Sequence, residues 1–324
     1  MAEWYVEEGI GEHRAILLDG ERIAAARVDW PGELAVGLVE DAVLVSRASG
    51  SSRGTARFAS GEQALVDKLP ASASEGAPIR LEVTRPALGE RGRRKLARAR
   101  PSDSPLRAAP TLAERLRGEG HEVRVVREFP AGDGAELAAE AFAAEVAFSG
   151  GSLQFSPTPA MLLIDVDGTL APRALAMAAV EPLAAALRRF DAGGSIGIDF
   201  PTLAAKEDRR AVDGALAAAL GDWPHERTAM NGFGFVQLVA RLERPSLLHR
   251  LALSRADAAA RMLLRRAELV AEPGALLLTA HPAVQAKLRD DWLAELARRS
   301  GREVRTAADP ALALDGGFAQ AVPR

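Results

Sequence analysis

Three aspartates have the types and spacing to do chemistry. Asp165 and Asp167 stand two apart in MLLIDVDGTLAP, where an apolar run gives way to a turn. Asp199 closes a second apolar run, GGSIGIDF, after a helix-forming connection. If the two runs are neighbouring strands, Asp165 and Asp199 emerge at the same sheet edge. Two carboxylates converging there suit Mg²⁺, which takes few protein oxygens and keeps several waters. Such an ion can activate water and offset charge on a phosphodiester. A strand-end aspartate can also simply cap the helix that follows. A matched pair in similar settings favours the metal reading.

The elements that would position these groups follow from periodicity and punctuation. Residues 1–35 read as short strands around an Asp19-Gly20 hairpin signal. Residues 36–100 continue as short runs separated by Gly, Ser and Pro, the pattern of a small OB-like barrel. ARPSDSPLRAAP, with Pro101, Pro105 and Pro110, is the linker candidate. A central α/β region spans 111–250 and would carry the chemistry. It begins with a helix marked by Thr111 and Glu114, a capping-box spacing. GGSLQFSPTPAMLLIDVD reads as a β-hairpin ending at Asp167, ALAMAAVEPLAAALRRF and KEDRRAVDGALAAAL as helices, and ERTAMNGFG with FVQLVARL as strand, turn and helix. Residues 256–324 read helix, strand, helix, strand, a small α+β unit. The fold class expected is α+β.

Composition narrows the possible partners. With 324 residues and a formal charge of −3, the chain has no strong polyanion-binding field, so any nucleic-acid surface must be local. One candidate is the basic run RPALGERGRRKLARAR, which holds Arg85, Arg91, Arg93, Arg94, Lys95, Arg98 and Arg100. It reads equally as a solvated face or as a phosphate-contacting strip. The absence of cysteine excludes disulfides and thiolate metal sites. The acidic first residues do not form a signal peptide, and no run reaches the ~20 apolar residues of a membrane helix, so a soluble, cytoplasmic protein is expected. The five histidines show no metal-ligand spacing, and the four tryptophans read as packing residues.

DVDGTL resembles the first motif of the haloacid dehalogenase phosphatases, which would make Asp165 a nucleophile and Asp167 an acid/base. Its context departs from that family: a long β-rich stretch precedes the motif, and ALLLTAHPA offers no acidic pair for the last one. In collinear order, the chain as a whole resembles the ribonuclease E/G family of endoribonucleases. The resemblance rests on GEHRAILLDGERIAAARVDWPG, ARFASGEQALVDKLP, EGAPIRLEVTRPALGERGRRK, EVAFSGGSLQFSPTPAMLLIDVDG, AGGSIGIDFPTL, NGFGFVQLVARLERPSL and HPAVQAKLRDDWLAELARRSGREVRTAADPAL.

This resemblance implies a deoxyribonuclease-I-like catalytic domain in which Asp165 and Asp199 hold Mg²⁺ and Asp167 assists. It also implies an OB-type domain in which Phe58 stacks a base of single-stranded RNA. A second aromatic of that domain is replaced by an aliphatic near Val66. Arg91, Arg93, Arg94 and Lys95 would contact phosphates. The chain departs from the family in several places. Asp167 stands where asparagine is usual and Gly232 where arginine is frequent. The cysteine zinc link is missing, so no zinc-linked dimer is expected, and the 5′-end sensor region is trimmed. A non-catalytic RNA-binding protein on the same scaffold is the other reading these departures leave open.

Overall fold

The computed structural model describes residues 2–90, 92–131 and 134–323. The fold is α+β and contains a closed five-stranded barrel. The first strands, β1 (Glu3–Gly9), β2 (Glu12–Asp19) and β3 (Arg22–Asp29), form an antiparallel meander. The β2–β3 turn falls at Gly20, whose φ of 65° suits a two-residue hairpin, as Asp19-Gly20 predicted.

The chain then leaves this sheet to build the barrel from β4 (Val39–Arg47), β5 (Gly54–Arg57), β6 (Gln63–Val66) and β7 (Pro78–Arg85). A small hairpin follows, β8 (Leu88–Glu90) with β9 (Arg93–Lys95), and β10 (Ala97–Pro101) completes the barrel. The closed order is β10-β6-β5-β4-β7, with β6 and β10 parallel. Alternation along the strands fills the interior with Leu44, Phe58, Val66, Leu81 and Val83, a core separate from the rest of the molecule.

After the barrel the chain returns to the first sheet. Helix α1 (Leu112–Gly118) starts with the predicted capping box between Thr111 and Glu114. It buries Leu112 and Leu116 against Trp4 and Val6. Next, β11 (Val123–Val126) pairs in parallel with β1. Residues 111–126 therefore complete the N-terminal sheet instead of opening the central region, and the barrel is an excursion between β3 and α1. This pairing was hidden in sequence because its two strands lie far apart in the chain.

The central sheet follows α2 (Gly134–Ala143). Its strands are β12 (Glu145–Phe148), β13 (Gly151–Pro157), β14 (Leu162–Gly168), β15 (Gly194–Asp199), β16 (His225–Arg227) and β17 (Phe235–Ala240), in the order β12-β13-β14-β15-β17-β16. Helix α3 (Pro172–Arg189) connects β14 to its parallel neighbour β15, and α4 (Lys206–Leu220) follows β15. FVQLVA is a strand, not the expected helix. Val236 and Leu238 are fully buried and Ala240 nearly so, while Val239 is half exposed, which is the two-residue period of a strand.

The alanines of α3 let two sheets approach it. One side packs on Ile164, Val166, Ile196 and Ile198 of the central sheet, and the other reaches Ile23, Ala26 and Val28 of the N-terminal one. The C-terminal part comprises α5 (Leu247–Leu251), α6 (Arg255–Glu268), β18 (Ala275–Ala280), α7 (Pro282–Gln285), α8 (Asp290–Ser300), β19 (Val304–Ala308) and β20 (Phe318–Val322). Its α6 and β18 share the same core, so residues 256–324 are packed into the main body. Trp4, Trp30 and Trp292 are buried packing residues, with Arg261 stacked on both Trp30 and Trp292. Among the described residues no helix is long and apolar enough to cross a membrane.

Candidate functional site

The central sheet has one buried face and one open face. On β14, Ile164 and Val166 point to α3, while Leu163, Asp165 and Asp167 point away and are exposed. On β15, Ile196 and Ile198 are buried and Asp199 is exposed. The parallel register sets Asp165 directly beside Asp199 and Leu163 beside Gly197. The βαβ connection through α3 makes this pairing, because it returns the chain parallel and sets Asp199, the last residue of β15, beside Asp165 in the middle of β14. The aspartates thus form one acidic rung, and an apolar rung lies two residues away, ~6.6 Å along the strands.

Asp167 is on the same face, opposite Ser152, and its Oδ1 accepts the Gly168 N–H at 2.8 Å. Gln154 lies opposite Asp165 on the other side. None of the three carboxylates has an ion-pair partner among the described residues, in a molecule where many other acids are held by arginine. The Asp165 carboxyl is pushed above its ordinary value, first by burial and then by the negative charges of Asp199 and Asp167. A divalent cation between Asp165 and Asp199 would relieve that repulsion. Among the described residues no three His, Asp or Glu side chains group closely enough to form a cage. Two carboxylates plus water still match what Mg²⁺ uses.

The open face continues into the loop before β17, which the sequence reading did not single out. Phe235 is the register neighbour of Asp199. Its ring lies over Gly197, where a Cβ would come within 2.5 Å of the ring and 3.0 Å of Leu163. Two residues earlier, Phe233 is 80% exposed. The only hint in sequence was NGFGF, two aromatics spaced by glycine in a turn.

The predicted RNA-contacting residues fare differently. Phe58 is a correction: it is 3% exposed inside the barrel, so it presents no face to a base. Val66 is equally buried; the exposed aliphatic on that strand is its neighbour Leu65. Arg91 lies outside the described residues. Arg93, Arg94 and Lys95 are on β9 as exposed or half-exposed groups, but each already has a carboxylate. Arg93 and Lys95 both hold Glu90, and Arg94 reaches Glu33 at 2.9 Å and Glu62 at 3.6 Å. Burial works to raise the Glu90 carboxyl, and the hydrogen bonds from Lys95 and Arg93 outweigh it. This hairpin lines a cleft with Pro157–Leu162 and Gly193–Ser195, at the end of β14 and β15 opposite the aspartates.

Two other arginines are better placed for an anion. Arg57 and Arg98 project from the outer barrel wall with no ion pair among the described residues. Arg57 pairs in register with Val43 and Gln63, and Leu65 with Thr55 and Arg98, so the two cations flank exposed Val43 and Leu65. The expected basic strip missed Arg57 because it is isolated in sequence.

Comparison with models of known protein families and with curated proteins gives no match to this chain.

Proposed function

We propose that this protein is a Mg²⁺-dependent endoribonuclease acting on single-stranded RNA, of the ribonuclease E/G kind. The observation that carries the reading is the in-register pairing of Asp165 and Asp199 on an open sheet face, with neither in an ion pair among the described residues. When bound there, the ion supplies a polarised water and a counter-charge for the phosphodiester. Asp165 and Asp199 hold it. Asp167, with one oxygen engaged by Gly168, adds negative charge from the next rung and helps orient a bound water. Attack by water on the phosphorus would break the P–O3′ bond, leaving a 3′-hydroxyl on the upstream fragment and a 5′-phosphate on the downstream one.

The barrel supports the substrate side of this reading. Numbered along the barrel, its strands run 1-2-3-5-4 and close on 1, the order of an OB-like fold. Such folds bind oligonucleotides on strands 2 and 3 and on the loop between strands 4 and 5. Here those parts are β5, β6 and the β8–β9 hairpin. They present Arg57, Gln63, Leu65 and the charged edge of Arg93, Arg94 and Lys95. The mixed central sheet, layered on α3, supports a deoxyribonuclease-I-like assignment. It supports the phosphodiester reading over a haloacid-dehalogenase-like phosphatase using Asp165, because β14 and β15 are its single parallel pair.

The test is cleavage of labelled single-stranded RNA with Mg²⁺ or with chelator. Wild-type protein should cut only with Mg²⁺. Asp165→Asn and Asp199→Asn should each lose cleavage by at least about 100-fold, a loss within the 2.7–4 kcal/mol range seen when one transition-state-stabilising group is removed. Both should still bind RNA. RNA binding without any Mg²⁺-dependent cutting by wild type would favour the non-catalytic RNA-binding alternative.

A further inference from the structure

Beside the acidic rung, the open face carries an apolar floor and an aromatic that no packing need explains. Phe233 is 80% exposed, although its backbone is tied down on several sides. Asn231 Oδ1 accepts from the N–H groups of Phe233 and Phe235 at 2.8 and 3.1 Å. The Thr202 hydroxyl donates to the Phe233 carbonyl at 3.3 Å, and Phe200 N–H donates to the Gly234 carbonyl at 3.3 Å. Gly234 has φ of 90°, and a Cβ there would come within 2.5 Å of the Phe200 carbonyl oxygen. The loop is thus locked against the segment that follows Asp199. It displays a large apolar ring to solvent, an arrangement with no folding benefit. Next to it, glycine at position 197 leaves room for the Phe235 ring, and Leu163 and Met161 complete a floor one rung from the carboxylates.

An exposed ring on a backbone fixed beside the segment that carries Asp199 has, if that face binds a phosphodiester, a clear chemical counterpart, a nucleobase. Base stacking on an aromatic contributes through any base, because every base has a π-face. We propose that Phe233, with the Phe235 floor, forms a base-stacking subsite for one nucleotide adjoining the phosphate at Asp165 and Asp199. The subsite rests on the reading of this face as an RNA-cleaving site. It fixes the nucleotide on the β17 side, so the strand crosses the sheet from β14 towards β17. With Phe58 buried, this is the platform that the barrel lacks.

The experiment measures affinity in chelator, where no cleavage intervenes. The probes are a single-stranded oligoribonucleotide and a series in which one base at a time is removed. Phe233→Ala should weaken binding of the intact strand on the order of tenfold. One abasic position should cost wild type a similar factor, and on that strand Phe233→Ala should cost nothing more. Phe233→Trp should keep the affinity, and Phe318→Ala, an exposed aromatic on β20, should change nothing. Equal binding by Phe233→Ala and wild type, or an equal loss on every abasic strand, overturns the subsite. So does a dimer in sedimentation that Phe233→Ala dissolves, since the ring would then serve a second copy. A wild type that cuts RNA with Phe233→Ala unaffected removes the subsite alone. A wild type that neither binds nor cuts RNA removes the nuclease reading and the subsite together.

Discussion

Asp165 sits among like charges with no ion-pair partner among the described residues, and that imbalance sets the most local prediction. Its carboxyl is held above the ordinary value of 3.8, by burial first and then by Asp199 and Asp167. A carboxyl whose folded value is raised binds its proton more tightly in the native state. Its contribution to stability is present in acid and is lost as pH rises through the folded value. At neutral pH, in chelator, the ionised group therefore works against the fold. Asp165→Asn is expected to raise the denaturation midpoint at neutral pH, with the gain vanishing as the pH falls below the ordinary carboxylate range. Added Mg²⁺ should raise the wild-type midpoint and leave that of the variant unmoved, since a ligand stabilises only the state that binds it. Identical neutral-pH midpoints in chelator would mean that the two aspartates do not feel each other. The charge of Asp167 adds to this repulsion, which makes the site more dependent on a counter-ion.

At the scale of elements, the legible parts are those written in local pattern. The β13–β14 hairpin, α3, β15, the Thr111–Glu114 cap and the Gly20 turn all follow from apolar period or from turn and cap residues close together in the chain. The pairing of Asp165 with Asp199 was also legible, because the helix between two similar strands implies a parallel return. What sequence could not carry was the facing of individual side chains. Phe58 and Leu65 lie on adjoining parts of the barrel sheet, yet one ring is interior and the other side chain is solvent-facing; a shift of one residue in strand parity exchanges such roles. Arg94 and Arg100 likewise looked free because their partners, Glu33 and Glu62 for the first and Glu82 for the second, come from other segments. FVQLVA was misread because a short apolar run does not separate strand from helix by period alone.

The corrected barrel face has its own measurable consequence. If RNA phosphates contact Arg57 and Arg98, the double change to alanine should lower affinity at low salt. It should also flatten the log–log salt dependence by ~1.4, at about 0.7 per phosphate contact on a single strand. Arg93→Ala and Lys95→Ala, whose cations are already held by Glu90, should flatten it less. The opposite ranking would return the phosphate contacts to the β9 edge.

For the whole molecule, the charge of −3 and the consumption of most arginines in ion pairs leave no global field to draw RNA in. In the proposed function, RNA recognition would rest on two local surfaces, the outer barrel wall and the open sheet face. They are held in one architecture by α3, which is sandwiched between the N-terminal and central sheets, and by the return of the chain from the barrel into β11. Because the barrel has a separate core, its contribution can be weakened without disturbing the sheet that carries the aspartates.

The proposed chemistry needs a divalent cation shared by Asp165 and Asp199, and diffraction can locate such an ion directly. Crystals grown in chelator and soaked in Mn²⁺, a scattering substitute for Mg²⁺, should give an anomalous peak between the paired carboxylates of Asp165 and Asp199 on β14 and β15, and the peak should disappear in Asp199→Asn. A peak at other acids with none there, or a peak that survives the substitution unchanged, would contradict the metal site and the nuclease reading built on it.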